Sequence, residues 1–192
     1  MSVILIGGSP GTGKTKVASI LGAKLSVKVI SLTALAEKAG CISMKDKVRD
    51  TGIINEDCLV DAIITEVDEK RKRVVVEGHY IDLVPSGSVE IVFILRAHPA
   101  VLRERLTKRG YTESKVNENV EAEVIGVCQL DALDSFGEAK VIEIDTSHGP
   151  PSDSVDTMIE LMKNPAQGDR IDWMQQLEQE GRLDDFLRDK VS

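Results

Sequence analysis

The sequence predicts a three-layer α/β fold in which helices cover both faces of a parallel β-sheet. Apolar runs typical of strands alternate with helix-like segments along most of the 192 residues, and such alternation is the pattern of a parallel sheet. Residues 74–76 form a continuous β-branched run, which is typical of a strand buried on both faces. A glycine-rich loop at 7–15 joins the first apolar run to the first helical segment, as expected at the ligand-binding edge of such a sheet.

The individual elements are predicted from hydrophobic periodicity and from helix start and stop signals. We predict strands at 3–6, 27–30, 74–76, 90–95 and 141–145. We predict helices at 16–25, at 32–38, from Asn55 onward, at 99–108, from Ser114 or Lys115 onward, and at 154–162. Asn55 is expected to cap the third of these helices. The helix that follows Gly110 is predicted to be long, with a buried stripe of Val116, Val120, Val124 and Val127.

The chain length fits one domain, which we place at 1–164, followed by a helical appendage at 165–192. A flap is predicted at 31–55, because its residues 41–55 show no clear periodicity, and a lid at 108–118, because Gly110 supplies a hinge. In the appendage, Asp172 is expected to cap a short amphipathic helix. Trp173 is predicted to pack on the domain, and the alternative is a docking surface for a partner.

Composition and charge exclude several classes of protein. The formal net charge of −8 argues against direct binding of nucleic acid. No apolar run approaches the roughly 20 residues needed to span a bilayer, and Ser2 leads directly into the first strand, so we expect a soluble, cytoplasmic protein without a signal peptide. The three cysteines, Cys41, Cys58 and Cys128, form no C-x-x-C pair. We interpret them as small buried residues of a protein from a reducing compartment, without a metal-binding role.

The loop at 7–15 contains the strongest functional motif. Gly8, Gly13, Lys14 and Thr15 fit the phosphate-loop pattern G-x-x-x-x-G-K-[ST]. Glycines allow backbone N–H groups to surround phosphates, and the following helix directs its positive end at the same anion. Lys14 is placed to reach the β- and γ-phosphates, and the Thr15 hydroxyl is placed to bind Mg²⁺. The strand before the loop and the helix after it argue against the alternative, a glycine-rich turn that binds nothing. The motif therefore predicts a binding site for a nucleoside triphosphate.

Glu77 and His79 follow the buried strand at 74–76, so both should lie at the edge of the sheet that carries the loop. A carboxylate at this place can hold Mg²⁺ through water or orient an attacking group. An imidazole can accept a proton from water near neutral pH. The alternative for His79 is a structural hydrogen bond to a backbone carbonyl.

Arginines before Gly110 form the third candidate group. Arg105 and Arg109 lie one helical turn apart and should face the same way. Guanidinium groups stabilise the negative charge that develops during phosphoryl transfer. For Arg109 the alternative is a solvated surface charge, and Arg103 is open to either interpretation. The loop at 145–149 is expected to pack on the nucleotide base, and His98 is expected to be structural.

Three stretches carry a family resemblance: GGSPGTGKT, VVVEGHYID and FILRAHPAVLRERLTKRGYTESKVNENVEAE. With them the chain resembles the phosphate-loop nucleoside monophosphate kinases. It is most similar to the adenylate kinase isoenzyme six family, also called the coilin-interacting nuclear ATPase family. The run from Arg105 to Tyr111, followed by Asn119, is the most specific part, and the resemblance covers about residues 1–150.

This resemblance implies a Mg²⁺-dependent enzyme that transfers the γ-phosphate of ATP to AMP, or a similar nucleoside monophosphate, and also hydrolyses ATP. It further implies a role in small ribosomal subunit maturation and rRNA processing, through a platform ribosomal protein. Matched by position, His79 corresponds to the histidine linked to hydrolysis. The residues that would bind ATP are Gly8, Gly11, Gly13, Lys14, Thr15, Lys16 and Arg109.

The chain departs from the family pattern after the strand at 74–76. Glu77 replaces the aspartate of many members, and Glu-Gly-His-Tyr replaces the Asp-Gly-x-Pro-Arg of ordinary adenylate kinases, so the AMP-clamping arginine is missing. This argues against fast, AMP-exclusive kinase activity. Two alternatives stay open: an ATP-driven assembly factor for a ribosomal protein, and a small-metabolite kinase, because many kinases share this scaffold.

Overall fold

The structure is a computed structural model. It describes residues 2–46, 51–68, 73–164, 168 and 170–187. The strands in these ranges are β1 (Val3–Gly8), β2 (Lys28–Ser31), β3 (Ile42–Asp46), β4 (Thr51–Ile54), β5 (Val74–Glu77), β6 (Val89–Arg96) and β7 (Val141–Asp145). The helices are α1 (Lys14–Leu25), α2 (Leu32–Ala39), α3 (Glu56–Asp68), α4 (Pro99–Lys108), α5 (Glu113–Ile125), α6 (Val127–Phe136), α7 (Pro151–Leu161) and α8 (Trp173–Gln179). No helix within these ranges is long and apolar enough to cross a lipid bilayer.

The main sheet has the strand order β2-β5-β1-β6-β7, and every neighbouring pair in it is parallel. Strand β1 is central, and its residue Ile4 pairs with Val75 of β5 and Ile91 of β6. Because the strands are parallel, their carboxyl ends open on one edge of the sheet. The segments that follow β1, β5 and β7 all begin at this edge, where open α/β sheets bind ligands.

Alternate residues of the central strands enter two separate cores. Val3 and Leu5 belong to a core on the face covered by α2, α3 and α6. Ile4 and Ile6 belong to a core on the opposite face, covered by α1 and α7. Side chains alternate between faces along a strand, so a strand that is apolar at every position requires cover on both sides. The predicted three-layer α/β fold is confirmed.

Helix boundaries follow the predicted capping signals closely. Asn55 Oδ1 accepts a hydrogen bond from the backbone N–H of Cys58 at 3.1 Å, so Asn55 caps α3 as predicted. The predicted helix at 99–108 matches α4, which has Pro99 in its first turn. His98 is structural, as expected, because its Nδ1 accepts from Ala100 N at 3.2 Å. The closing helix α7 begins at Pro151, earlier than predicted.

The prediction of one long helix after Gly110 is wrong. Val116, Val120 and Val124 are buried as predicted, but α5 ends at Gly126. Gly126 adopts φ 79°, and its N–H bonds to Ala122 O and Glu123 O, which is the left-handed cap that ends many helices. Val127 therefore begins α6 with a new orientation and is 38% exposed.

Residues 42–54 contain a β-hairpin where the sequence shows no clear periodicity. Strands β3 and β4 pair antiparallel, with a register irregularity between Ser43 and Lys45. Such an irregularity interrupts the alternation that identifies a strand. Within the flap predicted at 31–55, residues 47–50 lie outside the described ones. The described part of the predicted flap therefore has regular backbone structure.

A disulfide joins Cys41 to Cys58 at the base of this hairpin. The interpretation of these two cysteines as free thiols is therefore wrong, whereas Cys41 is buried as expected. Cys41 follows α2 and Cys58 lies in the first turn of α3, with a Cα–Cα distance of 5.5 Å. This pair lacks the C-x-x-C spacing, because Cys41 and Cys58 come together only through the packing of α2 on α3. Cys128 is the remaining cysteine, and its thiol is free.

Removal of the disulfide is expected to lower the free energy of unfolding by about 3 kcal/mol. The bridge closes a loop with a sequence separation of 17 and so restricts the unfolded chain, which regains this conformational entropy when the bridge is opened. Urea unfolding of the oxidised protein, with and without reducing agent, measures the difference. The double variant Cys41→Ser, Cys58→Ser is the control and should be insensitive to the reducing agent. Equal stability of the oxidised and reduced wild type would contradict the bridge.

The described part of the appendage packs against α4 and α5. Trp173 is 5% exposed, which confirms its predicted packing on the domain. Asp172 Oδ1 accepts from Gln175 N at 2.9 Å, as predicted for the cap of α8. Leu177 and Phe186 join the core formed by α4 and α5. Residues 165–167, 169 and 188–192 of the predicted appendage lie outside the described ones.

Candidate active site

The loop between β1 and α1 has the conformation that its glycines allow. Gly8 adopts φ 133°, and a Cβ at this position would lie 2.3 Å from the carbonyl oxygen of Leu95. Ser9 and Thr12 are buried, and Thr12 bonds to the Ser9 carbonyl oxygen through its N–H at 3.3 Å and its hydroxyl at 2.8 Å. Strand, loop and helix thus stand in the order that the motif requires for binding phosphate.

Lys14, the first residue of α1, turns back over this loop. Its Nζ donates to Gly8 O at 2.7 Å and to Ser9 O at 3.1 Å. Burial lowers the pKa of Lys14 below its ordinary value, while the nearby carboxylates of Glu77 and Glu123 oppose this shift. An anion that enters the loop would compete with the two carbonyl oxygens for this ammonium group.

Thr15 and Glu77 form a pair of oxygen donors beside Lys14. The Thr15 hydroxyl lies 3.4 Å from each carboxylate oxygen of Glu77. Glu77 is 4% exposed because it ends the buried strand β5. A hydroxyl and a carboxylate are hard oxygen ligands of the kind Mg²⁺ prefers, and Mg²⁺ usually takes its remaining ligands from water and phosphate. These residues fit a Mg²⁺ ion that is bound together with a nucleotide.

A cavity of about 700 Å³ lies on the side of the loop that faces β5. The predicted site residues that line it are Gly11, Gly13, Lys14, Thr15, Lys16, Glu77, His79 and Arg109. Ser31 and Thr33 complete its wall beside α2. The cavity therefore contains the proposed metal ligands and the imidazole together.

His79 presents a neutral imidazole to this cavity at neutral pH. Partial burial lowers the pKa of His79 below its ordinary value, and the neighbouring Lys14 charge lowers it further. Its Nδ1 lies 3.8 Å from the Cys128 sulfur. Burial raises the pKa of Cys128 to about 11, so the thiol stays protonated near pH 7. Near pH 7 the imidazole of His79 is therefore unprotonated at one ring nitrogen, whereas the Cys128 thiol keeps its proton.

A smaller cavity of about 420 Å³ lies on the other side of the loop. Its lining includes Lys16, Arg105, Lys108, Arg109, Thr146 and Gly149. Arg105 Nη2 donates to Thr146 O at 2.6 Å, so the loop after β7 fixes this guanidinium. Gly11, Gly13, Lys16 and Arg109 line both cavities. Arg109 therefore stands between them.

The structure brings almost all predicted site residues to these two cavities. Gly8 is the exception, because it is buried below the loop and shapes it without lining either cavity. Arg103 faces the appendage instead: its Nη2 donates to Asp185 O at 2.8 Å, and its guanidinium stacks on Phe186. In the loop expected to pack on a base, Thr146 and Gly149 line the smaller cavity.

Sequence reasoning missed Glu123, a buried carboxylate of α5 that accepts a hydrogen bond from the Ser9 hydroxyl in the phosphate loop. A signal was available. Glu123 lies seven positions after Val116, and this spacing places it on the buried face of the same helix. A carboxylate on a core-facing stripe requires buried hydrogen-bond donors.

Comparison with known proteins places the chain in a family. A protein-family profile described as "AAA domain" (AAA_18) matches residues 4–126. Among relatives each named "Putative adenylate kinase", that of Methanothermobacter thermautotrophicus is 40% identical over 160 residues, which is 83% of this chain and 89% of the relative. That of Methanocaldococcus jannaschii is 34% identical over 171 residues, 88% of this chain and 92% of the relative. The chain belongs to this nucleotide kinase family.

The sequence similarity to this nucleotide kinase family extends along nearly the full chain. The relative from Archaeoglobus fulgidus, with the same name, is 36% identical over 196 residues and covers 97% of this chain and 98% of the relative. Among solved structures, shikimate kinase from Aquifex aeolicus has a TM-score of 0.57 at 15% identity, and covers 88% of this chain and 100% of that one. At this identity the likeness supports the α/β kinase fold alone.

Proposed function

We propose that this protein transfers the γ-phosphate of ATP to AMP, with a side activity of ATP hydrolysis, as in the adenylate kinase isoenzyme six family. The observation that carries the proposal is the pair of cavities that meet at the phosphate loop and share Lys16 and Arg109. Phosphoryl transfer between two bound substrates requires such adjacent sites. The names of the relatives and the motifs after β5 and α4 support the same assignment.

In this proposal the smaller cavity holds the adenosine end of ATP and the phosphates lie across the loop. The smaller cavity lies between α4 and the loop after β7, where Thr146 and Gly149 offer backbone groups. The γ-phosphate then reaches the larger cavity, beside Lys14 and Thr15. This placement puts the positive N-terminal end of α1 against the triphosphate.

The chain's own groups then position the reactants and stabilise charge. An acceptor oxygen attacks the γ-phosphorus as the bond to the β,γ-bridging oxygen breaks, and ADP leaves. The Lys14 ammonium, once released from Gly8 O and Ser9 O, binds phosphate oxygens, and Arg109 faces the transferred group from the lid side. Mg²⁺ held by Thr15 and Glu77 would supply further neutralisation of phosphate charge.

AMP is proposed to occupy the larger cavity, with Ser31 and Thr33 on its wall. Among the described residues that line this cavity, Arg109 is the one arginine. This observation favours a second candidate, a small-metabolite kinase, because AMP-specific sites use arginines to clamp the acceptor phosphate. Product analysis with ATP and a panel of nucleoside monophosphates and small metabolites tests both. ADP formation that depends on AMP supports the first proposal, and dependence on a different acceptor supports the second.

Replacement of His79 by alanine is expected to reduce ATP hydrolysis by about 10²-fold or more, while transfer to AMP changes far less. Hydrolysis requires a base to deprotonate water, which is typically worth 10² to 10⁴ in rate. The AMP phosphate oxygen is already anionic and needs little such help. ADP release without acceptor and ADP formation with AMP, measured on one preparation, give the two rates.

The pH profile provides a control for this assignment. Since the pKa of His79 lies below its ordinary value, hydrolysis should be constant at neutral pH and fall only when acid protonates the ring. The His79→Ala variant should lose this acid limb. Equal losses in hydrolysis and transfer would make His79 structural, and a loss confined to the AMP reaction would reverse its role.

The resemblance also leads us to propose that the nucleotide cycle acts in small ribosomal subunit maturation, through a platform ribosomal protein. The formal net charge of −8 supports a basic partner, because complementary charge accelerates and orients association. Binding of the purified partner, measured with ATP, with ADP and without nucleotide, tests this role. Affinity independent of the nucleotide would leave the kinase activity as the function.

A further inference from the structure

A buried polar network connects the phosphate loop to the appendage through Glu123. This side chain is 1% exposed and accepts four hydrogen bonds. Its Oε2 accepts from Ser9 Oγ at 2.5 Å. Its Oε1 accepts from Arg96 Nε at 2.8 Å, from Ala97 N at 3.0 Å and from Trp173 Nε1 at 3.2 Å.

The donors come from three separate parts of the fold. Ser9 belongs to the phosphate loop, Arg96 ends β6, and Trp173 begins α8. A buried carboxylate is tolerated only when charged or polar partners satisfy it, so the position of each donor depends on the others. Glu123 therefore makes the position of Ser9 dependent on groups that do not touch either cavity.

Arg96 fixes Glu123 from the other side. It is 1% exposed, and besides Glu123 its Nη1 donates to Glu143 Oε2 at 2.7 Å and to Gln129 Oε1 at 2.9 Å. The same nitrogen reaches Ile171 O in the appendage at 3.2 Å. The network thus includes β7, α6 and the segment before α8, so a shift of Glu123 would be felt by each of these elements.

The appendage also contacts the helix that carries the lid arginines. Leu177 and Phe186 pack in one core with Leu102 and Leu106 of α4, and Arg103 of α4 donates to Asp185 O. Arg105 and Arg109 lie at the carboxyl end of α4. The appendage is therefore joined both to the phosphate loop and to the arginine-bearing helix.

We propose that Glu123 is a positioning residue that holds the phosphate loop in its ATP-binding shape, and that Trp173 links this carboxylate to the appendage. The proposal rests on the proposed ATP site. Glu123 lines neither cavity, and it acts through Ser9. Loss of the Ser9 contact removes a constraint on the loop in the ground state and the transition state alike, which raises KM for ATP more than it lowers kcat.

Trp173 supplies a spectroscopic readout, because it is the only tryptophan in the chain and its indole N–H bonds to Glu123. Titration of the wild type with ATP alone, without acceptor, should change the Trp173 emission. Ser9→Ala cuts the link at the loop and leaves the partners of Trp173 in place, so it should abolish this change. It should also raise KM for ATP roughly tenfold, as expected for loss of a hydrogen bond to a charged group, with kcat within about twofold.

Three further variants separate positioning from general stability. Glu123→Gln keeps the shape of the side chain and should raise KM for ATP as Ser9→Ala does. Trp173→Phe keeps an aromatic ring without the N–H donor and should shift KM in the same direction by a smaller factor. Glu118→Gln, an exposed carboxylate on the same helix α5, is the matched control and should leave KM, kcat and the emission change unaltered.

A second polar neighbour of the Ser9 hydroxyl is the Cys128 thiol. Cys128→Ala tests whether the link runs through this thiol instead. If Cys128→Ala alone reproduces the Ser9→Ala effects, the assignment to Glu123 is overturned. A wild-type emission that does not respond to bound ATP would overturn the coupling to Trp173.

Thermal unfolding completes the comparison. If Ser9→Ala and Glu123→Gln lower the melting temperature but keep KM for ATP and the emission change, Glu123 is structural and the proposal is wrong. Absence of ATP binding by the wild type would overturn both this proposal and the proposed function. ATP binding without phosphorylation of AMP would overturn the proposed acceptor alone. KM for ATP and the Trp173 emission change would then still decide the positioning role.

Discussion

Lys14→Ala is expected to reduce phosphoryl transfer by roughly 10²- to 10³-fold or more, the loss seen when one preorganised charge-stabilising group is removed from an active site. In the structure Lys14 Nζ is held over the loop by Gly8 O and Ser9 O. Both contacts are to backbone oxygens within the same loop, so their loss should leave the fold intact. Initial rates of ADP formation at saturating ATP, with and without AMP, measure the effect.

Lys24→Ala is the matched control for this prediction. Lys24 lies on the same helix α1 but at its exposed end, where it pairs with Asp156. Its removal should leave turnover unchanged. Native turnover by Lys14→Ala at saturating ATP, in a preparation with the wild-type circular dichroism spectrum, would refute the assignment of 8–15 as a phosphate-binding loop.

Arg109→Ala is expected to reduce catalysis by about 10³-fold, with a milder effect on ATP affinity. Arg109 lines both cavities, and it caps α4 immediately before Gly110. Guanidinium groups that reach the transferred phosphoryl group contribute 10³ to 10⁵ in rate. Steady-state kinetics over a range of ATP concentrations separates kcat from KM.

Arg109→Lys distinguishes charge from geometry at this position. Lysine keeps the positive charge but loses the planar, bidentate donor group, so it should recover only part of the lost rate. Full recovery would mean that charge alone matters. Near-native rates in Arg109→Ala would show that Arg109 is a surface charge and that the lid prediction is wrong.

Elements with strong local signals were predictable from the sequence. The apolar run of β1, the glycine-rich loop and α1 follow one another without interruption, and each is recognised by its own periodicity or motif. Because parallel strands end at a common edge, the sequence alone places Glu77 and His79 near Lys14. Placement in a cavity follows from topology, whereas the roles of these residues stay predictions until the variants are measured.

Features that depend on long-range packing could not be predicted. The Ser9–Glu123 hydrogen bond joins residues 114 positions apart, and the Cys41–Cys58 bridge depends on how α2 meets α3. The spacing from Val116 indicates that Glu123 is buried, but no local pattern in the sequence identifies the partner in either contact. The break at Gly126 was missed for a different reason: the apolar spacing continues through it to Val127, while the left-handed glycine changes the direction of the chain.

The closed base of the β3–β4 hairpin gives this segment of the chain fixed ends. Its two ends are joined covalently by Cys41 and Cys58 and by a backbone hydrogen bond from Asn55 N to Cys41 O at 2.8 Å. The bridge and this hydrogen bond therefore fix both ends of the segment relative to α2 and α3. Since lengthening a loop between fixed ends costs little free energy, hairpins of other lengths and sequences can be grafted there. We therefore expect the length of this hairpin to vary while the phosphate loop and the buried sheet stay unchanged.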